Sequence, residues 1–406
     1  MFFKAGKRRV LAQKLGWLPA GDIAKMNGKP RFWVHAVSMG EVSAIHPLLR
    51  GLRGMFPNGC IMLSTGTESG QKIARERVPE ANAIFYFILD LPFIMKRMMR
   101  ELRPDVCILA ETELWPNFLK SARVYGARTM LANGRISDRS YERYRKTRFF
   151  WMGVLDYVNV LSMIRAEDGE RAIRIGANPV RVFVNGNCKF DQAFASSAPE
   201  IRKAMKKLLA LEEGDRVLVA GSTHEGEEEA VINAFLKIRK TDPGMILVLV
   251  PRHIERCPRV GKILAQSGLQ EFILRSHLER EGRGGQKVVL WDTFGELSKV
   301  YSIATLVFCG GSLVPRRGQN ILEPAAWGKV VLYGPSMEDF QDAHTLLQGS
   351  GAGLQVQNED ELARRCRELL AHPQELIRRG EAGKEATLAN CGATAKNLEL
   401  VSRLIA

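Results

Sequence analysis

The sequence predicts an α/β protein of two doubly wound, Rossmann-like parallel-sheet domains that face each other across a cleft. Three observations carry this prediction. Thirteen short apolar or β-branched runs recur, each followed by a turn signal and a segment of helical period. Most runs are continuously apolar and not alternating, as in strands buried on both faces. The 406 residues exceed one compact domain, and one sheet of thirteen strands would be unusually wide.

The runs of the first half are 31–38, 60–67, 83–88, 106–111, 129–135, 157–163 and 181–187. Those of the second half are 216–222, 245–251, 271–276, 288–292, 305–311 and 330–335. Residues 191–215 (DQAFASSAPEIRKAMKKLLALEEGD) read as the join. The expected division is 1–192 for the first domain and 193–385 for the second. Residues 386–406 should form a helix that packs back on the first domain.

Composition narrows the class. A chain that is 46% hydrophobic and 25% charged, with 37 Gly and 17 Pro, is neither disordered nor fibrous. Seven cysteines are scattered without CxxC pairing, mostly inside apolar runs, so buried reduced thiols are expected. No apolar stretch reaches the 18 residues that a membrane span needs. The opening MFFKAGKRRVLAQKLGWLPA interleaves aromatic and basic residues; it reads as an interfacial amphipathic segment or as an ordinary exposed helix.

The net charge of +15 is unevenly placed. Residues 1–190 hold 31 basic and 16 acidic side chains, whereas residues 191–406 hold 28 of each. The excess therefore belongs to the surface of the first half. Nucleic acid, an anionic membrane and a phosphorylated substrate are the partners it suits.

In doubly wound folds ligands bind beyond the carboxyl ends of the strands. The run 31–38 ends in HAVSMGEVSAIHPLLRGL. There Gly40 allows a tight turn and Glu41 stands at a helix N-terminus, where the dipole stabilises a carboxylate. Glu41 reads as a first-turn cap or as a general base at a strand–helix elbow. Pro47 should kink that helix or mark its true start. In ETELWPN (111–117) Glu111 and Glu113 would point to one side of an extended segment. Two such charges raise one pKa, which suits acid–base work or sugar hydroxyls, unless they form a plain salt-bridge cluster. Trp115 offers a flat face for a sugar ring. ANGRISDRSYERYRK (132–146) gathers Arg135, Arg139, Arg143, Arg145 and Lys146 with two tyrosines. It suits phosphate or carboxylate recognition, or is a solvated basic helix. In IMKRMMREL (94–102) the methionines favour core packing over a membrane-facing patch.

The second half reads as a nucleotide site. AGSTHEGEEE (220–229) is a strand-to-helix turn in which Ser222 and Thr223 can hold a phosphate. It is neither a Walker A loop nor a zinc motif, since no second His follows His224 at four residues. Arg252 and His253 stand just past another strand. CGGSLVPRRGQNILEPAAWGKVVLYGP (309–335) sends a Gly-rich loop from a strand into a helix near Asn320. Glu323, in its first turn, can accept bonds from ribose hydroxyls.

Together these segments resemble the bacterial Kdo (3-deoxy-D-manno-oct-2-ulosonic acid) transferases of lipopolysaccharide synthesis. The likeness runs from about residue 31 to residue 340. It rests on HAVSMGE, ETELWPN, NGRISDRSYERYR, GNCKFD, VAGSTHEGEEE, LVLVPRH, DTFGEL and GGSLVPRRGQNILEPAAWG in that order. The resemblance implies an inverting GT-B glycosyltransferase with CMP-Kdo as donor in the C-terminal domain and a lipid A precursor, lipid IVA, on the N-terminal one. It implies no metal and no cofactor, and the sequence lacks a DxD motif.

Glu41 matches the Glu of the family's HAxSxGE segment and is expected to be the general base. Ser38, Gly40, Glu111 and Glu113 are expected to bind substrate, with Lys189 or Arg135 pairing with the Kdo carboxylate. Ser222, Thr223 and Arg252, with backbone N–H groups near Gly311 and Ser312, are expected to compensate the departing phosphate, and His253 is expected at the donor site. Asn320 and Glu323 would hold the ribose. Gln319 stands where the family carries a donor-contacting His, in Arg317-Gly318-Gln319-Asn320. The family's hydrophobic N-terminal anchor is missing or much shortened.

The charge distribution then favours an anionic membrane surface and the phosphates of the lipid acceptor, with no nucleic acid, at the cytoplasmic face of the inner membrane. No motif specifies an oligomeric state. The alternatives are another GT-B nucleotide-sugar enzyme, such as an epimerase or a transferase with a soluble acceptor, and a catalytically silent nucleotide- or membrane-binding protein.

Overall fold

The computed structural model describes residue 8, residues 10–194 and residues 199–406. The basic opening segment and the join therefore fall partly on residues 1–7, 9 and 195–198, outside the described residues. The chain forms two compact units, Met1–Gln192 with Asn390–Ala406, and Ala193–Ala389.

The first unit carries a seven-stranded parallel sheet of β1 (Arg31–His35), β2 (Cys60–Thr65), β3 (Ala83–Tyr86), β4 (Val106–Ala110), β5 (Arg128–Gly134), β6 (Val160–Met163) and β7 (Val182–Val184). Their spatial order is β3-β2-β1-β4-β5-β6-β7. In register, Phe32 to His35 of β1 pair with Val106 to Leu109 of β4. The chain winds outward from β1 through β2 to β3, then restarts at β4 on the other side. This makes β1 and β4 the switch point, where loops diverge and leave a crevice.

The alternation of β1 shows why both sheet faces are buried. Trp33 points into one core with Phe85 and Phe118. Phe32 and Val34 point into the other, beside Val42, Ile45 and Leu48 of the helix Met39–Met55. Each such fully buried aliphatic side chain contributes about 1.5–3 kcal/mol. Pro47 lies inside that helix, so of the two alternatives, a kink or the true start, the second is excluded; the start is set by Ser38. The methionines 95, 98 and 99 are core residues of the helix Pro92–Leu102.

The helix Ala393–Ile405 packs on the helix Met39–Met55 and adds Leu400 and Val401 to the same core. Asp191 holds its first turn, accepting the N–H groups of Gly392 at 2.6 Å and Thr394 at 2.7 Å.

The second unit repeats the plan with β8 (Val217–Thr223), β9 (Ile246–Pro251), β10 (Phe272–Leu274), β11 (Val288–Leu290), β12 (Leu306–Cys309), β13 (Val331–Tyr333) and β14 (Gly353–Gln355). All pairs are parallel, in the order β10-β11-β9-β8-β12-β13-β14. Its switch point lies between β8 and β12. Among the described residues no helix is long and apolar enough to cross a membrane. The seven cysteines are all free, and Cys391 alone is not buried.

Candidate active site

At the switch point of the first sheet, β1 runs into a tight elbow. Ser38 is the helix N-cap and its hydroxyl accepts the Glu41 N–H at 3.3 Å. The Glu41 carboxylate reaches back, accepting the Val37 N–H at 2.7 Å and the Ser38 hydroxyl at 3.0 Å. This is a capping-box arrangement shifted by one residue. The Val37 carbonyl is held in turn by the N–H groups of Gly66 and Thr67 and by the Thr67 hydroxyl. Close approach explains Gly70, where a Cβ would fall 2.8 Å from the Val37 carbonyl oxygen. Gly40 has no such neighbour; its Cβ would meet nothing nearer than Ser38 Oγ at 3.8 Å.

The loop after β4 brings Glu111 and Glu113 to Glu41. Burial first, then the Glu111 charge, with a smaller addition from Glu113, push the Glu41 carboxyl up to about 7. The Val37 N–H and Ser38 hydroxyl offset part of this. The capping role and the raised pKa thus coexist in one side chain.

The extended Glu111–Glu113 geometry is corrected. Glu111 follows the end of β4 with φ +55° and its N–H bonds to the Ala132 carbonyl; left-handed backbone breaks the two-residue alternation. The side chains also have different partners. Glu111 Oε1 lies 3.5 Å from Lys189 Nζ, whereas Glu113 accepts the Trp115 indole N–H at 2.8 Å. Burial followed by Glu111 raises the Glu113 pKa against that indole bond. Trp115 packs against Phe87, centroids 5.2 Å apart, so part of its ring is used inside the protein. The Arg135 carbonyl accepts the Thr112 hydroxyl at 2.8 Å, tying the loops after β4 and β5. Arg135 Nε is buried without a hydrogen-bond partner. Arg139, Arg143 and Lys146, on the helix Asp138–Lys146, are exposed.

The second sheet places its candidate residues at its own switch point. Ser222 adopts φ +55°, and Thr223 and His224 follow at the carboxyl end of β8. The Thr223 hydroxyl and His224 Nε2 are buried without a partner. Burial, followed by His253, Arg316, Arg252 and Arg256, lowers the His224 pKa to about 4. The rings of His224 and His253 meet edge-on at 5.7 Å. The Arg252 N–H bonds to the Thr223 carbonyl. Unfilled polar groups amid cationic side chains suit an anion.

The role expected of the Gly311 and Ser312 N–H groups is corrected. They donate to Glu227 at 2.7 and 2.9 Å, so they are occupied from inside the protein. The Ser312 hydroxyl is used as well, toward the Cys309 carbonyl and the Gly334 N–H. Gln319 flanks Gly311 together with His224: a Cβ on Gly311 would lie 3.2 Å from Gln319 Cγ and 3.4 Å from His224 Cδ2. The Asn320 amide donates to Glu323 at 3.2 Å, and its oxygen accepts the Leu322 N–H at 3.1 Å. Glu323 stands in the first turn of the helix Leu322–Ala326.

Two residues of this cluster were not singled out from the sequence, His224 beside the unpartnered Thr223 hydroxyl and Glu227 as the anchor of the Gly311 loop. Only the polar run HEGEEE directly after a strand pointed toward them.

A family model described as 3-Deoxy-D-manno-octulosonic-acid transferase (kdotransferase) matches residues 9–192. The 3-deoxy-D-manno-octulosonic acid transferase of Haemophilus influenzae is 32% identical over 396 residues, 97% of this chain and 91% of that one. That of Bordetella pertussis is 31% identical over 380 residues, covering 90% and 86%. A solved UDP-GlcNAc 2-epimerase from Neisseria meningitidis superposes with TM-score 0.61 at 12% identity, covering 92% of this chain and 100% of that one. That likeness concerns the two-domain GT-B fold alone. Sequence identity at this level, sustained over nearly the whole length, means that the chain belongs to the 3-deoxy-D-manno-octulosonic acid transferase family.

Proposed function

We propose that this glycosyltransferase moves Kdo from CMP-Kdo to a lipid A precursor, lipid IVA, with inversion and with Glu41 as general base. The observation that carries the reading is the Glu41 carboxyl at about 7 beside Glu111 and Glu113, at the switch point of the first sheet. A base works best when its pKa lies near the operating pH, where its ionised fraction and its basicity are both substantial.

In this scheme the acceptor hydroxyl attacks the anomeric carbon of Kdo opposite the phosphate. Its proton passes to Glu41 as the sugar–phosphate bond breaks through an oxocarbenium-like transition state. The Val37 N–H and Ser38 hydroxyl fix the Glu41 carboxylate and so its direction of attack on that proton. Lys189 and Arg135 are the nearby cations for a substrate carboxylate or phosphate. In the second unit Thr223, His224, Arg252, His253 and Arg316 compensate the departing phosphate, Ser222 and Gln319 border it, and Asn320 with Glu323 take the ribose.

The reaction is placed at the cytoplasmic face of the inner membrane, with an anionic lipid surface as partner. Support comes from one cluster of the first unit. Leu11, Leu15, Trp17, Leu89, Leu91 and Phe93 are exposed. They are joined by the Leu89 N–H to the Lys14 carbonyl and by Arg97 over the Trp17 ring. Aromatic and aliphatic side chains flanked by cations suit insertion among anionic headgroups.

The test incubates purified protein with CMP-Kdo and lipid IVA and follows the mass of the lipid. Added Kdo that disappears in Glu41→Gln supports the reading. No added Kdo, or near-normal turnover in Glu41→Gln, overturns it.

A further inference from the structure

Glu227 opens the helix Glu227–Arg239 and is fully buried. Its carboxylate accepts four backbone N–H groups. Oε2 takes those of His224 at 2.9 Å and Gly311 at 2.7 Å. Oε1 takes those of Ser312 and Leu313, both at 2.9 Å. Three successive N–H groups, opened by Gly311 at φ +66°, form the concave nest with which loops often seize a phosphate. Here the nest is filled by the protein's own carboxylate.

These bonds join two segments distant in sequence, the loop after β8 and the loop after β12, at the switch point of the second sheet. The loops also touch directly: a Cβ on Gly310 would fall 2.6 Å from the Ser222 carbonyl oxygen. On one side of the tie stand the unpartnered Thr223 hydroxyl and His224 Nε2. On the other, three residues beyond Leu313, stands Arg316, whose charge reaches His224. Burying a lone carboxylate is costly, and four charge-assisted bonds offset that cost only while both loops hold one conformation.

We propose that Glu227 is a positioning residue that preassembles the donor-phosphate loops before any ligand arrives, reserving the backbone nest for itself and leaving the phosphate to Thr223, His224, Arg252 and Arg316. The inference rests on the donor-site reading above and adds to it which groups meet the phosphate and why they are in place beforehand. A loop competent only a tenth of the time weakens apparent affinity about tenfold. Glu227→Gln removes two acceptor positions, because an amide NH2 faces N–H groups, and is expected to lower CMP affinity and raise the donor KM about tenfold or more. The acceptor KM and the pH profile set by Glu41 should stay within twofold and within a few tenths of a pH unit.

The test has two parts. Hydrogen exchange on the wild-type protein alone should show the amides of Gly311, Ser312 and Leu313 protected without ligand. Calorimetric titration with CMP and donor KM measurements then compare wild type, Glu227→Gln and Glu227→Asp, the last for the case that the first variant does not fold. Amides protected only after CMP is added overturn the proposal, as do folded variants with CMP affinity within twofold of wild type. A CMP-induced shift of the three amide resonances that signals displacement of the carboxylate also overturns it. Failure of the wild type to bind CMP overturns the donor-site reading instead, while the exchange measurement still decides whether the loops are preformed.

Discussion

Glu111 faces Glu41 from the neighbouring strand end, and its charge, added to burial, lifts the Glu41 carboxyl from its ordinary 4.5 to about 7. With Glu41 as the proposed base, transfer requires its ionised form, so kcat/KM should rise about tenfold per pH unit below about 7 and level off above it. Glu111→Gln removes the like charge and should move this acid limb to lower pH, even if turnover also changes. A limb unmoved in that variant would disconnect the two residues. For stability the sign is opposite. A raised pKa favours the protonated carboxyl in the fold, so this contribution is complete below about 4.5 and lost as pH rises through about 7. Denaturant midpoints across that interval, for wild type and Glu41→Gln, measure it.

Removing the proposed base itself should have a larger effect. Glu41→Gln keeps the size of the side chain and loses its proton affinity. Turnover is expected to fall by roughly 10²–10⁴, the usual contribution of a general base. CMP affinity should be unchanged, since the proposed nucleotide contacts belong to the second sheet.

Gly70 supports the Glu41 elbow from the adjacent turn. In Gly70→Ala the new methyl would meet the Val37 carbonyl oxygen at 2.8 Å and Thr67 Oγ1 at 3.0 Å. Backbone must shift, at about 1–3 kcal/mol. Because Val37 also holds the Glu41 carboxylate, kcat should fall by about tenfold to a hundredfold. Thermal unfolding and steady-state rates give the two readouts. A normal kcat in a destabilised variant would show that the elbow tolerates the shift.

Asp191→Ala leaves the Gly392 and Thr394 N–H groups of the last helix without their acceptor. Loss of such a cap costs about 0.5–2 kcal/mol. Since this helix supplies Leu400 and Val401 to the core that also holds Val42 and Ile45, proteolysis near residue 390 should accelerate. Cleavage at the wild-type rate would argue against Asp191 as its latch.

Phe93 is the most exposed side chain of the apolar cluster, at 70%. Phe93→Asp should reduce sedimentation with anionic vesicles about tenfold or more, from the lost burial of one aromatic side chain. Binding of the wild type should also weaken between 0.1 and 1 M salt, as the screening length shrinks from about 10 Å to about 3 Å. Equal binding by the variant at both salt concentrations would refute membrane contact through this cluster.

The strands were legible because a parallel strand covered on both faces must be apolar at successive positions, as in VCILA and VLVA. The fourteenth, Gly353–Gln355, was not, since three residues beginning with Gly carry no such signal. The elbow was legible too: Ser38 and Glu41 have capping-box spacing, and the bonds that spacing specifies are short-range. In contrast, Glu227 is one of three acidic residues opening a helix, a pattern the dipole alone accounts for. Three of its four partners lie more than 80 residues away, beyond the reach of any local pattern.

What the sequence by itself determined is the architecture: two doubly wound sheets, and the loops on which function sits, because hydrophobic periodicity and turn chemistry act within a few residues. Only the tertiary structure decided which groups remain available in those loops. Glu41, Glu111 and Glu113 become one acidic cluster because β1 and β4 are neighbours, and the Gly311 nest is closed because Glu227 is folded into it. Desolvation and hydrogen-bond saturation depend on what surrounds a group in three dimensions, and neighbours in space are set by the order of the strands.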